Sequence, residues 1–561
     1  MWSIKRKGIC FLLFVGLYNT LIAQSVPDSL SKKIDGLFSR WNSPNGPGCA
    51  IGIVRNDTLI YAKGYGTANL EYNIPITPET IFHTASVSKQ FAAYSIVLLA
   101  KQGKLKLDDE IRQYLSWFPD LKEKITIRHL LNHTSGIRDQ WQLLAISGTR
   151  LDDVITQEHI IKVLSRQQAL NFKPGEQYSY SNSGFTMLAE IVKAVTGQTL
   201  RKFTDSAIFK PLGMSATNFH DDYTEIVKNR AYSYERAGNG RFTNSILSYS
   251  NAGATSLFTN VIDMAKWISN LYYPKVGTAA EIRQLTQKGI LNTGKELTYA
   301  LGIGVSQYKG WKQYSHSGGD AGYRTFITAF PDLKMGFIVF SNVGDFNPVG
   351  KAYELVDLFI HDTALNALAK TLAIDTSMST ISNASFTNTF PGNYLSDAGV
   401  QFNFPLRNNR IYWERFGRSD LLVRGEKDTF VVAQTPEVKF VFLTTASKDT
   451  IVNQYWPDGE RMLMKYTPSG NVTESQLRAY TGTYYCPELD VKYAIVLKGQ
   501  ELSLTSNKYE DSKLRTVGKN DFLTNYWWMN HLKILRDKKN NITGFEVNDN
   551  RIQHLKFIKT E

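Results

Sequence analysis

Apolar residues crowd one segment of the chain on nearly every side. From Phe91 the run Phe91, Ala92, Ala93, Ile96, Val97, Leu98, Leu99 continues to Gly103. That spacing predicts a helix buried centrally rather than laid on a surface, with Gly103 as its stop and Thr84 as its N-cap. The pattern on either side predicts the rest of this region. Ile34 to Trp41 reads as a short helix. Cys49 to Val54 reads as a buried strand, with a turn at Asn56-Asp57 and a returning strand from Leu59 to Lys63. Residues 151 to 170 read as helical. Pro174-Gly175 marks a turn, the Tyr178 to Ser181 stretch is extended, and a helix from Phe185 to Val195 stops at Gly197. Strands return at Tyr314–Gly319, Tyr323–Ala329 and Gly336–Ser341, and a helix from Val349 to about Leu372 closes the region. Strands near both ends with helices between them predict an α/β class.

The pattern then changes. Residues 373–387 are rich in Ser, Thr and Asn and read as a linker. Beyond it lie short strands and turns with few helix signals, and they repeat. Phe390-Pro391-Gly392-Asn393-Tyr394 recurs as Tyr480-Thr481-Gly482-Thr483-Tyr484. The stretch Arg410-Ile411-Tyr412-Trp413 has a counterpart from Gln500 to Leu504, and Thr429-Phe430 one in Asp521-Phe522. Arg461 with Lys465 and Tyr466 answers to Arg551 with Lys556 and Phe557. Two copies of an up-and-down antiparallel unit fit this repeat. Small closed barrels are the expected form, because closure removes sheet edges.

Composition narrows the setting. At 561 residues the chain exceeds a single core. Its net charge of +13 is spread along the sequence without a Lys/Arg cluster interleaved with aromatics, so no nucleic-acid partner is expected. Lys5-Arg6-Lys7 precedes the apolar run Ile9 to Ile22, with Ala23 before Gln24. This predicts a signal peptide over 1–23 and an exported protein, periplasmic or secreted. No transmembrane anchor is expected after processing. No cysteine stands at the cut, and Cys49 and Cys486 are expected to lie in different domains, unpaired. The absence of Cys-x-x-Cys excludes a cysteine zinc site. His129 and His133 have the spacing of a metal pair but lack the acidic partner of a His-Glu-x-x-His helix, so no metal or other cofactor is expected. There is no Gly-x-Ser-x-Gly elbow and no phosphate-cradling Gly loop. Trp456, Trp527 and Trp528 are expected to pack inside the barrels rather than form a platform for sugars.

The chemistry centres on the start of the buried helix. Ser86 and Lys89 are three residues apart, one turn, on one face. A lysine in a poorly solvated place loses its proton more easily and can activate the serine hydroxyl. Ser29-Leu30-Ser31-Lys32 and Ser306-Gln307-Tyr308-Lys309 match the same spacing, so Ser86 needs partners elsewhere. Tyr180-Ser181-Asn182 supplies them: a tyrosine whose phenolate a nearby lysine would stabilise, and an amide for a substrate carbonyl or for the lysine. Tyr249-Ser250-Asn251 repeats the triplet without the Pro-Gly turn and the helix start that frame the first. His316-Ser317-Gly318-Gly319 is a glycine-flanked strand that a substrate backbone can approach. The amides of Gly319 and Ser86 are candidates for an oxyanion hole.

These pieces, in this order, resemble the serine β-lactamase and penicillin-binding-protein superfamily, in its class C-like branch with the family VIII esterases and D-aminopeptidases. The likeness spans roughly residues 46 to 345. It includes Pro47-Gly48-Cys49-Ala50-Ile51, Lys63-Gly64-Tyr65-Gly66, Thr77 to Phe82, Leu130 to Gly136, Phe172 to Gly175 and Ala252-Gly253-Ala254. It implies a β-lactamase-like α/β (α+β) catalytic domain at 24–372 with an antiparallel sheet flanked by helices. Two antiparallel, lipocalin-like β-barrels follow at 388–470 and 471–561. It implies Ser86, Lys89 and Tyr180 as catalytic residues and Asn182, His316, Gly318 and Gly319 as substrate-binding. His316 stands where many members have the lysine of Lys-Thr-Gly, which points away from β-lactams and towards D-amino-acid peptides, amides or small esters. A β-lactamase and a penicillin-binding sensor with little turnover are the alternatives. The repeated barrels suggest that access to Ser86 is controlled from outside its own domain. The oligomeric state is left open.

Overall fold

The computed structural model of the chain describes residues 26–361 and 390–560, except 397–398, 416–417, 426–428, 434, 446, 448, 456–460, 468–473, 518–519 and 550. The predicted signal peptide, the linker 373–387 and Trp456 lie outside the described residues, whereas the helix expected from Val349 to about Leu372 is the shorter Pro348–Asp357, which gives way to a turn at Leu358.

The first region is built on a six-stranded antiparallel sheet. Its order is Gly304–Tyr308, Trp311–Asp320, Tyr323–Phe330, Met335–Ser341, Cys49–Arg55, Thr58–Tyr65. The N-terminal hairpin thus closes onto strands almost 300 residues later, with Cys49 opposite Ser341 and Arg55 opposite Met335. Cys49–Val54 reads as a continuous apolar run because both faces of its strand are covered. Cys49, Ile51 and Ile53 meet the helices Asp28–Phe38 and Pro348–Asp357 on one side. Ala50 and Val54 join the large core with Val261 and Met264 on the other. The alternation follows the two-residue period of a strand. The edge strand Gly304–Tyr308, which carries the Ser306 decoy, is one the sequence pattern did not single out.

Several boundaries differ from the sequence expectation for local reasons. The first helix starts earlier, at Asp28, and ends in a 3-10 turn at Ser39–Trp41. Within 151–170 only Gln157–Leu164 is α-helical, entered through a capping box in which Thr156 and His159 satisfy each other. Thr84 takes the N-cap position of a 3-10 turn rather than of the α-helix, and its side chain makes no capping bond. Its hydroxyl donates to the carbonyl of Leu257, and a 3-10 turn at Ala85–Ser88 precedes the α-helix Lys89–Lys101. That helix is buried from Lys89 through Leu99, as its pattern predicts. It ends in a Schellman motif, Gly103 N–H to Ala100 O and Lys104 N–H to Leu99 O, with Gly103 at φ 69°.

The C-terminal third forms two antiparallel sheets of nine described strands each, closed or nearly closed into barrels. The repeat seen in the sequence is a structural repeat. Tyr394 and Tyr484 are both fully buried, and each phenol donates to the carbonyl four residues before it, Phe390 at 2.7 Å and Tyr480 at 2.6 Å. Each follows a glycine with positive φ, Gly392 at 142° and Gly482 at 143°. Cys49 and Cys486 are free and buried in different sheets.

The second barrel docks on the first region and shares its apolar core. Arg138, 1% exposed, pairs with Glu488 at 3.1 Å and also donates to Gln553 O at 3.1 Å. Burial holds the Glu488 carboxyl above its ordinary value and the Arg138 guanidinium below its own, while each partner's charge opposes that shift. Tyr493 donates to Ile146 O at 3.0 Å and Tyr509 to Thr149 O at 2.9 Å. Breaking the ion pair from one side leaves a dry, lone charge. Glu488→Ala is therefore expected to lower stability by about 3–5 kcal/mol, and Arg138→Met with Glu488→Leu to recover most of it. Urea denaturation followed by tryptophan fluorescence reads both; equal midpoints for Glu488→Ala and the unmodified protein would remove the pair from the docking interface.

Candidate active site

Ser86 sits in the 3-10 turn immediately before the buried helix, and side chains three apart eclipse in such a turn. The turn is held tightly. Ala85 adopts φ 49°, a left-handed conformation that non-glycine residues seldom take, and marks local strain. Ser88 Oγ donates to Ala85 O at 2.5 Å and accepts from Leu257 N–H at 3.0 Å. Thr325 Oγ1 donates to Thr84 O at 2.9 Å, tying the turn to the sheet. Gly318 presses on the same carbonyl: a Cβ at 318 would stand 2.3 Å from Thr84 O, so a side chain there would push the strand off the serine turn.

Lys89 is fully buried. Its Nζ donates to Ser86 Oγ at 3.0 Å, Asn182 Oδ1 at 2.9 Å and Ala254 O at 2.7 Å. Burial lowers its pKa to about 7, against the opposing charges of Asp320 and Asp139 and with help from Arg551. Two of its three partners can only accept. Ala254 O is a carbonyl, and Asn182 is fixed with Oδ1 towards the lysine because its Nδ2 donates to Asp139 Oδ2 at 2.8 Å. Asp139 Oδ2 also takes Asn182 N–H at 2.8 Å, and its Oδ1 takes Trp141 N–H at 3.0 Å. A neutral Lys89 therefore spends its two N–H groups on Asn182 and Ala254 and turns its lone pair to Ser86, the one partner that can give it a proton.

Tyr180 hydrogen-bonds Ser86, and its ring centroid is 4.9 Å from Lys89 Nζ. The lysine does not bring the phenol into the phenolate range. Burial dominates and raises its pKa well above the ordinary value, so Tyr180 is a proton-bearing group in the resting site. His316 is 8% exposed and shielded, and burial with the Lys89 charge lowers its pKa to about 3. Its Nδ1 donates to Ser317 O at 2.7 Å, a pure acceptor, so Nε2 accepts from Tyr299 O–H at 2.8 Å. This histidine is neutral and cannot replace a lysine cation.

The sequence candidates converge. Ser86, Tyr180, Asn182, His316, Gly318 and Gly319 line one cavity of about 980 Å³, with Lys89 directly behind Ser86. The competing Tyr249 lies in the same cavity wall, but stacked on Trp141 at 4.8 Å. The decoy lysine Lys309 donates to Ile360 O, away from the cavity. His129 accepts Thr126 N–H in a capping box, and His133 accepts Ser181 N–H, so both spend a ring nitrogen on backbone. No group of three metal-ligating side chains occurs among the described residues.

A family model described as Beta-lactamase matches residues 37–359, more than half of the chain. The chain belongs to the beta-lactamase family. It is a serine hydrolase, and its fold is the beta-lactamase-like one followed by barrels. Over 433 residues it is 26% identical to penicillin-binding protein 4* of Bacillus subtilis (strain 168), covering 72% of this chain and 93% of that protein. Over 461 residues it is 26% identical to a D-aminopeptidase of Brucella anthropi, covering 81% of this chain and 82% of that one. The structure of the octameric penicillin-binding protein homologue from Pyrococcus abyssi superposes with TM-score 0.55 at 23% identity, over 78% of this chain and 99% of that one. Among the described residues no helix is long and apolar enough to cross a membrane.

Two contributors, Asp139 and Tyr299, were not singled out from the sequence, and two others, Trp527 and Arg551, were named there without a part in the site. Asp139 orients Asn182; its sequence signal, an acidic residue before a short apolar helix, reads as an ordinary cap, which it also is. Tyr299 donates to His316 Nε2, the ring nitrogen left as acceptor once Nδ1 donates to Ser317 O. Trp527, expected inside a barrel, is 50% exposed and lines the cavity from the second barrel, as does Arg551. Asp139→Asn replaces an acceptor of three N–H groups with an amide that can satisfy them only in part and frees Asn182 to turn. It is expected to lower kcat for any Ser86-dependent substrate by about 10- to 100-fold (about 1–3 kcal/mol). Steady-state kinetics on a chromogenic ester reads it, and an unchanged kcat would remove Asp139 from the orienting role.

Proposed function

We propose that this protein hydrolyses D-amino-acid peptides or amides through an acyl-enzyme on Ser86. The observation that carries the reading is the hydrogen-bond set of Lys89, which leaves the neutral amine one proton donor to accept from, Ser86. Ser86 Oγ adds to the substrate carbonyl as its proton passes to Lys89. The amides of Ser86 and Gly319 receive the oxyanion. The C–N bond then breaks, the departing nitrogen takes a proton from Tyr180, and Lys89 returns one to Tyr180. A water repeats the sequence on the ester, releasing the acid and restoring Ser86.

The substrate class is supported by the D-aminopeptidase relative and by the neutral state of His316. A β-lactam carboxylate is commonly met by a cation on this strand, and His316 supplies none. The N-terminal segment, with its basic cluster and apolar run, supports an exported location; recovery of active protein only from the cytoplasm would contradict it.

Paired D- and L-aminoacyl p-nitroanilides, a p-nitrophenyl ester and a fluorescent penicillin are the test, each run beside Ser86→Ala. Turnover is expected for the D-compounds, with rates at least about 100-fold below wild type in Ser86→Ala. Mass spectrometry of the quenched reaction is expected to find the acyl group on the peptide holding Ser86. Faster loss of penicillin than of any D-compound would make the protein a β-lactamase, and turnover unaffected by Ser86→Ala would overturn the mechanism.

A further inference from the structure

Of the two histidines at metal-pair spacing, His133 stands where the fold more readily holds a glycine. The helix Ile127–Leu131 closes in a Schellman turn, with Thr134 N–H bonded to His129 O at 2.9 Å and His133 N–H to Leu130 O at 3.4 Å. His133 is the residue of that turn with a left-handed backbone, φ 58°. Glycine, and less often asparagine, fills this position in most such turns, because a Cβ is strained there. A histidine stands there although it is 1% exposed and its Nε2 finds no hydrogen-bond partner among the described residues. Neither the turn nor the burial accounts for it.

Its other contacts do. The stretch from Tyr178 to Ser181 leads into the helix Asn182–Thr196 and joins none of the described strands, so no sheet ladder fixes it. His133 holds it on both sides of Tyr180. Its carbonyl accepts Ser179 N–H at 2.9 Å, and its Nδ1 accepts Ser181 N–H at 3.2 Å. Its ring lies against the ring of Tyr180, with centroids 4.1 Å apart and planes 35° from parallel. Burial, with the charge of Lys89, holds the imidazole well below its ordinary pKa, so Nδ1 keeps the lone pair that Ser181 uses. Next to it, Thr134 O accepts Gly175 N–H at 2.8 Å, which sets the Pro-Gly turn against the same segment.

We propose that His133 is a positioning residue for Tyr180, holding its phenol on Ser86 through the bond from Ser181 N–H to Nδ1. It stands behind the tyrosine and does not line the cavity. Tyr180 is itself bonded to Ser86. Under the acyl-enzyme reading, on which the kinetic consequence rests, Tyr180 protonates the departing nitrogen. A p-nitrophenolate leaves without a proton, so a misplaced Tyr180 slows amides selectively. A residue that only supported the fold would slow both alike.

Glycine and asparagine both suit the turn and differ at the acceptor: asparagine Oδ1 can take Ser181 N–H and glycine cannot. Crystal structures of His133→Gly and His133→Asn read the position directly. Tyr180 is expected to leave Ser86 in His133→Gly and to stay on it in His133→Asn. A Tyr180 unmoved in His133→Gly, or displaced in both, overturns the proposal. Kinetics on D-alanyl p-nitroanilide and D-alanyl p-nitrophenyl ester reads the consequence. In His133→Gly, kcat/KM for the anilide is expected to fall about 10- to 100-fold further than for the ester, as for a displaced catalytic group, and to recover in His133→Asn. Equal losses on the two substrates would make His133 a support of the fold and overturn the proposal. Should His133→Gly not fold, an anilide-to-ester ratio in His133→Asn as low as in Tyr180→Phe overturns it too. If the wild type turns over neither compound, or Tyr180→Phe leaves the ratio unchanged, the acyl-enzyme reading falls and the crystal structures decide His133 by themselves.

Discussion

An amine sealed from water is the constraint on which the site depends. Lys89 sits at the start of a helix buried on all sides, and desolvation outweighs the attraction of Asp320 and Asp139. Its proton is thereby held loosely enough to leave near neutral pH. The surrounding geometry gives that instability a direction. Asn182 and Ala254 can only accept, Asp139 prevents Asn182 from turning over, and Ser86 is the remaining partner. The left-handed Ala85, the Thr325 hydroxyl and the bare face of Gly318 together set the serine turn against the sheet. Loss of any of these moves Ser86 relative to a lysine that cannot follow it.

The second barrel belongs to the same arrangement. Several of its hydrogen bonds meet Arg138, Asp139 and Asn171, and Asp139 also orients Asn182. Arg551 is near enough for its charge to favour neutral Lys89 and to oppose the burial of Tyr180. The barrel therefore acts on the site in two ways, as a wall with Trp527 and Arg551 and as a fixed positive charge. The two copies of the repeat differ at the matching arginine, which is exposed at Arg461 and lines the cavity at Arg551.

Much of this was legible in the sequence where the chemistry is local. Ser86 and Lys89 share one turn, Tyr180 and Asn182 flank a helix start, and Gly318 and Gly319 open a strand, so short spacings carry their relation. The buried helix and the two-barrel repeat were legible because apolar spacing and recurrence survive without tertiary information. Other features depend on contacts between distant segments. Asp139 looks like a helix cap, and its second oxygen finds Asn182 only when two segments 43 residues apart meet. Tyr299 gains meaning only beside His316, and Arg551 only when the second barrel docks. The sign of the Tyr180 shift was also hidden: a lysine neighbour favours phenolate, burial opposes it, and only the structure shows that burial is the larger effect.

The direct test is to titrate Lys89 itself. In protein carrying lysine labelled with carbon-13 at Cε, the Lys89 resonance can be assigned by its loss in Lys89→Met and followed with pH by NMR. The structure predicts a midpoint near the value of about 7 that burial sets, well below that of the exposed lysines. A Lys89 that stays charged until about pH 10.4, as an ordinary lysine does, would contradict the account.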